Sequence, residues 1–245
     1  MPEPHTYAAL LVLGLLLGMK HALEADHVAA VAALATDSRS VAQTVLQGVV
    51  WGVGHTCALL LFAGVAVALD AAVPARLAAA LEFAVGVMLV LLGLDVLRRV
   101  ARAKVHFHAH RHDGGVVHVH AHSHAHDAPL HDYMRHRHVH VARFPLRALA
   151  VGTMHGMAGS AALIVLTVAS VKPVSLGFLQ IVAFGVGSIV GMAALSLALA
   201  VPLRRSAAID ARVQISLRSL VGMGSVVLGV VVMLQCAGYS FFVGG

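Results

Sequence analysis

The sequence predicts an all-α, polytopic membrane protein of six transmembrane helices, arranged as two inverted three-helix repeats. Three observations predict it. Only 11% of the 245 residues are Asp, Glu, Lys or Arg, and 59% are hydrophobic; a soluble domain carries about 25% charged residues to cover its surface. The apolar residues fall into six long continuous runs. Small motifs in the first three runs recur in the last three at a nearly constant offset.

The runs are Tyr7–Thr36, Val45–Leu69, Leu77–Leu97, Leu146–Val171, Val174–Leu203 and Leu217–Val243. Each exceeds the ~20 residues that a helix needs to cross ~30 Å of hydrocarbon. None alternates apolar and polar residues as a barrel strand does. The chain suffices for one membrane bundle and not for a soluble domain as well. The only ionisable side chains before Tyr7 are Glu3 and His5, which is no basic n-region, so a cleaved signal peptide is not expected. No P-loop pattern ending in Gly-Lys-Ser/Thr occurs, so no ATPase is visible. Cys57 and Cys236 lie within apolar runs and read as small packing residues.

The formal net charge of +6 does not point to nucleic acid, because the basic residues sit between apolar runs rather than on one soluble face. Fourteen of the seventeen Lys and Arg follow the first, third and fifth runs, from Arg39 through Arg98 and Arg147 to Arg218; the opposite side holds only Arg76 and Lys172. The positive-inside rule puts the rich side in the cytoplasm, with both termini outside, in the inner (plasma) membrane. The expected layout is a membrane repeat over 1–97, a cytoplasmic segment over 98–145 and a second membrane repeat over 146–245.

The repeat rests on Gly, Gln and His positions. Gly18-Met19-Lys20-His21 recurs as Gly152-Thr153-Met154-His155, and Leu46-Gln47 with Gly52-Val53-Gly54-His55 recurs as Leu179-Gln180 with Gly185-Val186-Gly187-Ser188. Gly86 and Gly93 recur as Gly222 and Gly229, so the offsets are 134, 133 and 136. Halves of three helices each must be oppositely oriented, which is the plan of many secondary transporters, with the site near the midplane between them.

Between runs three and four, Val105 to Val141 holds thirteen of the eighteen histidines. It has no helical period and few large apolar residues, and reads as a mobile cytoplasmic loop. Its imidazoles, among them His118, His120, His122, His124 and His126, are read as an auxiliary metal-capturing array. The plainer reading is a polar spacer.

The sharpest feature is Lys20-His21-Ala22-Leu23-Glu24-Ala25-Asp26-His27, in the middle of run one. A central Asp or Lys costs ~2.5–3.5 kcal/mol against insertion, and ionisable residues at that depth default to function. At 100° per residue, His21, Glu24 and His27 fall in one stripe about 120° wide, and Asp26 points about 160° away from Glu24. One ion cannot take all four from an unbroken helix. Either the helix is irregular around Leu23–Asp26, or one carboxylate stands behind a histidine. The alternative without a ligand is a buried salt-bridge network with Lys20. His55 and His155 lie at the same depth in runs two and four. Gly152, Gly156, Gly159 and Ser160 first suggest close helix packing; Ser160 and Ser188 are also read as lining the substrate route. Imidazole with carboxylate suits nickel, cobalt, zinc, copper or iron(II), and the lack of thiolates disfavours copper(I).

These residues resemble the nickel/cobalt transporter superfamily, which includes nickel permeases, urease-accessory-type nickel transporters and nickel/cobalt exporters. Its His-x4-Asp-His signature stands here as His21-Ala-Leu-Glu-Ala-Asp26-His27, with Glu24 where the family usually has Asp. Its Gly-His pair matches Gly54-His55, and His155-Gly-Met-Ala-Gly-Ser looks like the urease-accessory-type branch. The resemblance implies a secondary transporter, not an enzyme, that moves Ni²⁺ or Co²⁺ by alternating access. Its metal residues would be His21, Asp26, His27 and His55, with Glu24 and His155 supporting. It further implies no permanently bound cofactor, the metal ion and the bilayer as partners, and a cytoplasmic metal-accepting protein. Uptake, with the loop receiving metal, is the direction expected; efflux within the same superfamily is the alternative. From other classes, a bis-histidine haem protein leaves Glu24 and Asp26 unexplained. An intramembrane metalloprotease lacks its His-Glu-x-x-His. A metal sensor or storage subunit would bind without transporting.

Overall fold

The computed structural model describes residues 4–38, 40–68, 74–102, 105–111, 117–123, 145–158 and 174–243. Among them are seven helices: α1 (Pro4–His21), α2 (Ala25–Ala35), α3 (Val41–Ala68), α4 (Ala75–Arg102), α5 (Leu146–Met157), α6 (Val174–Ile209) and α7 (Ala211–Val243). Two short strands, β1 (Val105–Arg111) and β2 (Val117–Ser123), lie between α4 and α5. The apolar runs become helices because only a helix satisfies every backbone group within its own segment in hydrocarbon.

Four helices, α3, α4, α6 and α7, are long and apolar enough to cross a membrane, and α1 with α2 makes a fifth span if that pair, bent by 58°, counts as one. The chain is a multi-pass membrane protein. The fourth expected run begins as α5; its remainder, 159–171, and Ser160 with it, lies outside the described residues. Residues are distributed as in lipid. Leu16, Leu61, Leu91, Leu220 and Leu234 are exposed, whereas His21, His27, His55 and His155 are buried.

The irregularity expected around Leu23–Asp26 is there: the first run is two helices, α1 and α2, with residues 22–24 between them. The helix of the third run reaches beyond its apolar residues to Arg102, where Arg99 and Arg102 in the last turn complement the negative end of the helix dipole. One expectation is corrected. The histidine-rich segment is not wholly irregular: β1 and β2 pair antiparallel, with His106, His108 and His110 opposite His122, His120 and His118. The reason is a period of two, with Val, Phe and Ala alternating with His, and Gly114-Gly115 between the strands.

Small residues set the packing. α4 lies along α7, α3 along α6 and α5, and α1 along α6. A Cβ on Gly54 would meet the Leu149 carbonyl, and one on Gly187 the Leu15 carbonyl; Gly86 faces the Gly229 carbonyl, and Gly93 that of Gly222. Such contacts let backbones approach where lipid gives no hydrophobic drive. Shifting each residue by the motif offset turns the Gly54–Leu149 contact into Gly187–Leu15, and the Gly86–Gly229 contact into Gly222–Gly93. α2 sits inside the bundle, with Val31 and Leu34 in a core with Trp51, Leu89 and Met192. At the end bearing the histidine-rich segment, Arg99 bridges Asp37 (2.7 Å) and Asp95 (3.4 Å), and Arg147 bonds Asp95 (2.7 Å). These ion pairs tie the end of α2 to α4 and α5.

Candidate metal site

The break between α1 and α2 builds the site. The Leu23 and Glu24 amides bond back three residues, to Lys20 (2.9 Å) and His21 (3.0 Å). Glu24 is extended, with φ −63° and ψ 149°. Val28 N–H then donates to the Glu24 carbonyl (2.9 Å), and α2 begins. Ala22, Leu23, Glu24 and Ala25 are ordinary helix formers, and no Gly or Pro is among them, so local propensity does not make this break. Packing holds it. Gly18 seats α1 against the Phe184 and Ser188 backbone, and α2 is buried from Ala30 to Ala35.

The break resolves the angular conflict within His21–His27 by putting two hydrogen-bonded couples on two helix ends. His21 Nδ1 pairs with Glu24 Oε1 at 2.9 Å, and His27 Nδ1 with Asp26 Oδ1 at 2.9 Å, Asp26 also accepting from the His27 amide. The carboxylate accepts, so each ring carries its proton on Nδ1 and turns the Nε2 lone pair the other way. α3 brings His55 and α5 brings His155, whose Nδ1 donates to the Val151 carbonyl at 3.3 Å. Gly152 and Gly156 admit α5 here, since a side chain on them would strike Trp51 and the His55 carbonyl.

The four imidazoles touch. Centroid separations are 4.4 Å for His21–His27, 5.2 Å for His21–His55, 5.7 Å for His27–His55 and 4.5 Å for His27–His155. All four are at most 5% exposed. Nε2 of His21, His27 and His155, and both ring nitrogens of His55, have no hydrogen-bond partner among the described residues. Two sets of donors lie within 4.8 Å of one another and can hold a cation: His21, His27 and His55, and Asp26, His27 and His155. His27 belongs to both. Asp26 Oδ2 also lies 3.4 Å from His155 Nε2.

Of the residues singled out from the sequence, His21, Asp26, His27, His55 and His155 come together. Glu24 does not join a donor set: its side chain is 53% exposed and stands behind His21. Ser188 joins neither; its hydroxyl donates to the Gly18 carbonyl at 3.4 Å, fastening α1 to α6. Lys20 is exposed, so the buried network with that residue is not what forms. His118, His120 and His122 lie on β2, and His124 and His126 lie outside the described residues.

Two aromatic neighbours escaped the sequence reading. Trp51 lies parallel to His27 (5.7 Å, 1°) and contacts His155 (5.3 Å); Phe184 contacts His21 (5.4 Å). The signal that could have found them is positional: each stands four residues before a motif position, His55 or Ser188, and they differ by the repeat offset of 133.

The chain is 32% identical to the urease accessory protein UreH of Bacillus sp. (strain TB-90) over 222 residues, 91% of this chain and 89% of that protein. No family model matches the chain, and no solved structure matches it.

Proposed function

The chain belongs to the nickel/cobalt transporter family, and on that premise we propose that it carries Ni²⁺, or Co²⁺, across the membrane through the cluster of His21, Asp26, His27, His55 and His155. The observation that carries this reading is the set of buried ring nitrogens without partners. Leaving such a group unsatisfied costs about 1–3 kcal/mol each, and one borderline cation offers several of them a partner at once. Imidazole backed by carboxylate suits Ni²⁺ and Co²⁺. The metal is cargo, not a resident cofactor. Imidazoles in mutual ring contact leave no slot for a porphyrin plane between them, which disfavours the haem reading.

Alternating access between two inverted halves is supported by the exchanged glycine contacts and by α1 packing on α6 as α5 packs on α3. Imidazole must be neutral to ligate, so metal capture releases protons and protons can serve as the coupling ion. The basic end is cytoplasmic in this proposal, and the histidine-rich segment, with His118, His120, His122, His124 and His126, receives metal there and hands it to a metal-accepting protein. The direction is uptake.

The test is radioactive nickel flux in proteoliposomes of known orientation. Accumulation on the side of the histidine-rich segment, lost in His27→Ala, is expected. Flux only the other way would replace uptake by efflux, and nickel binding with no flux would leave a sensor or storage role.

A further inference from the structure

The bundle places one buried aromatic on each side of the donor cluster. α3 starts at the end that bears Asp37, Arg99 and Arg147, so Trp51 lies four residues, ~6 Å along the helix, nearer that end than His55. α6 starts at the opposite end, so Phe184 lies the same distance nearer that end than Ser188. Trp51 is fully buried and Phe184 nearly so. Trp51 covers the rings of His27 and His155, members of the set completed by Asp26; Phe184 covers His21, a member of the set completed by His55.

Beyond Trp51 a route is laid out. A half-open cavity of about 160 Å³ lies at the basic end, lined by Thr36, Thr44, Leu203, Arg204 and Arg218 among others. Thr44 also lines a second void, with Gln47, Gly48, Ser196 and Trp51, that has no room for a water molecule. Thr44 thus joins the vestibule to a closed constriction that Trp51 also lines. Arg204 and Arg218 line the vestibule, and their guanidiniums disfavour a second resident cation there.

Resting on the reading of the cluster as a metal site, we propose that Trp51 and Phe184 are the paired gates of that site. Trp51 separates the Asp26–His27–His155 set from the vestibule, and Phe184 closes the His21–His27–His55 set toward the opposite face. His27, common to both sets, lets the ion pass from one to the other without losing all its ligands. Neither aromatic ligates metal; each is a positioning residue whose displacement admits water and releases the ion on its own side.

The test measures sided release of nickel. Oriented proteoliposomes carry protein preloaded with radioactive Ni²⁺, and a membrane-impermeant chelator is added to one side at a time. Trp51→Ala should speed release toward the histidine-rich side at least about tenfold more than toward the other side, an excess that corresponds to ~1.4 kcal/mol of barrier; any loosening of His27 itself acts on both sides alike. Phe184→Ala should do the reverse, and Trp51→Phe should stay near wild type. A merely structural defect would speed both sides alike or abolish binding. Ser38→Cys, at the half-buried mouth of the vestibule and with Cys57 and Cys236 replaced by Ala, keeps the idea testable if the aromatic variants fail to fold. A bulky impermeant thiol reagent from the histidine-rich side should stop release there without lowering nickel binding. Equal release on both sides in both Ala variants, or undiminished release through labelled Ser38→Cys, overturns the gates. Absence of nickel binding by the wild type would instead overturn the metal-site reading itself.

Discussion

The indole of Trp51 and the imidazole of His27 lie parallel to within 1°, with centroids 5.7 Å apart. His27 Nδ1 is fixed from another side by Asp26 at 2.9 Å. A stacked face and a hydrogen-bonded edge hold this ring, whose Nε2 has no partner among the described residues. It is also the ring that belongs to both donor sets.

Removing that ring should therefore cost more than removing any ring found in one set only. His27→Ala is expected to weaken nickel binding more than His55→Ala or His155→Ala, each of which leaves one set whole. Equilibrium binding of Ni²⁺ to purified protein at matched expression checks the order. Equal losses for the three would mean that the sets do not act separately.

The two carboxylates should differ. Asp26→Asn removes the acceptor that orients His27 and a member of the second set, and is expected to abolish transport. Glu24→Gln touches only the orientation of His21 from an exposed position, so a loss of about 10–100-fold in affinity, typical for a residue behind a ligand, is the upper range. Flux together with binding isotherms separates the two. A Glu24→Gln variant as inactive as Asp26→Asn would make Glu24 a ligand.

Deleting His106–His140 should leave flux at saturating nickel and weaken it only when nickel is scarce, because the segment's imidazoles are redundant. His27→Ala should be inactive at both. The measurement is radioactive nickel flux at low and high concentration. A deletion variant inactive at high nickel would put the route through the segment.

The glycines predict a contrast in stability. Gly86→Ala and Gly93→Ala put a methyl against the carbonyl of Gly229 or Gly222, and are expected to cost about 1–3 kcal/mol as overpacking does. Gly224→Ala and Gly238→Ala meet nothing within 4 Å and gain helix propensity, so neutral to slightly stabilising changes are expected, up to about 1 kcal/mol. Thermal unfolding in detergent should lower Tm for the first pair and not for the second.

The sequence by itself determined what depends on composition and local period. Apolar runs too long and too poor in charge for anything but membrane helices were readable in order, because burial in lipid is a property of each segment alone. His21, Asp26, His27, His55 and His155 were readable as candidates that would come together, because ionisable groups at midspan are costly unless they find partners, and the structure does cluster them. The hairpin of Val105–Arg111 and Val117–Ser123 was equally local, and its period of two went unread beneath the run of histidines. Other features only the tertiary structure decided. That the first helix is irregular around Leu23–Asp26 was readable from the angular conflict between Glu24 and Asp26, but the 58° bend was not: no Gly or Pro announces it, and the fit of Gly18 against Phe184 and the burial of α2 hold it. That bend, not the spacing, sends Glu24 behind His21 and brings Asp26 to His27 and His155. Trp51 and Phe184 reach the site from partner helices, and which side chain covers which ring follows from how those helices pack, a relation between distant segments that no single stretch of sequence carries.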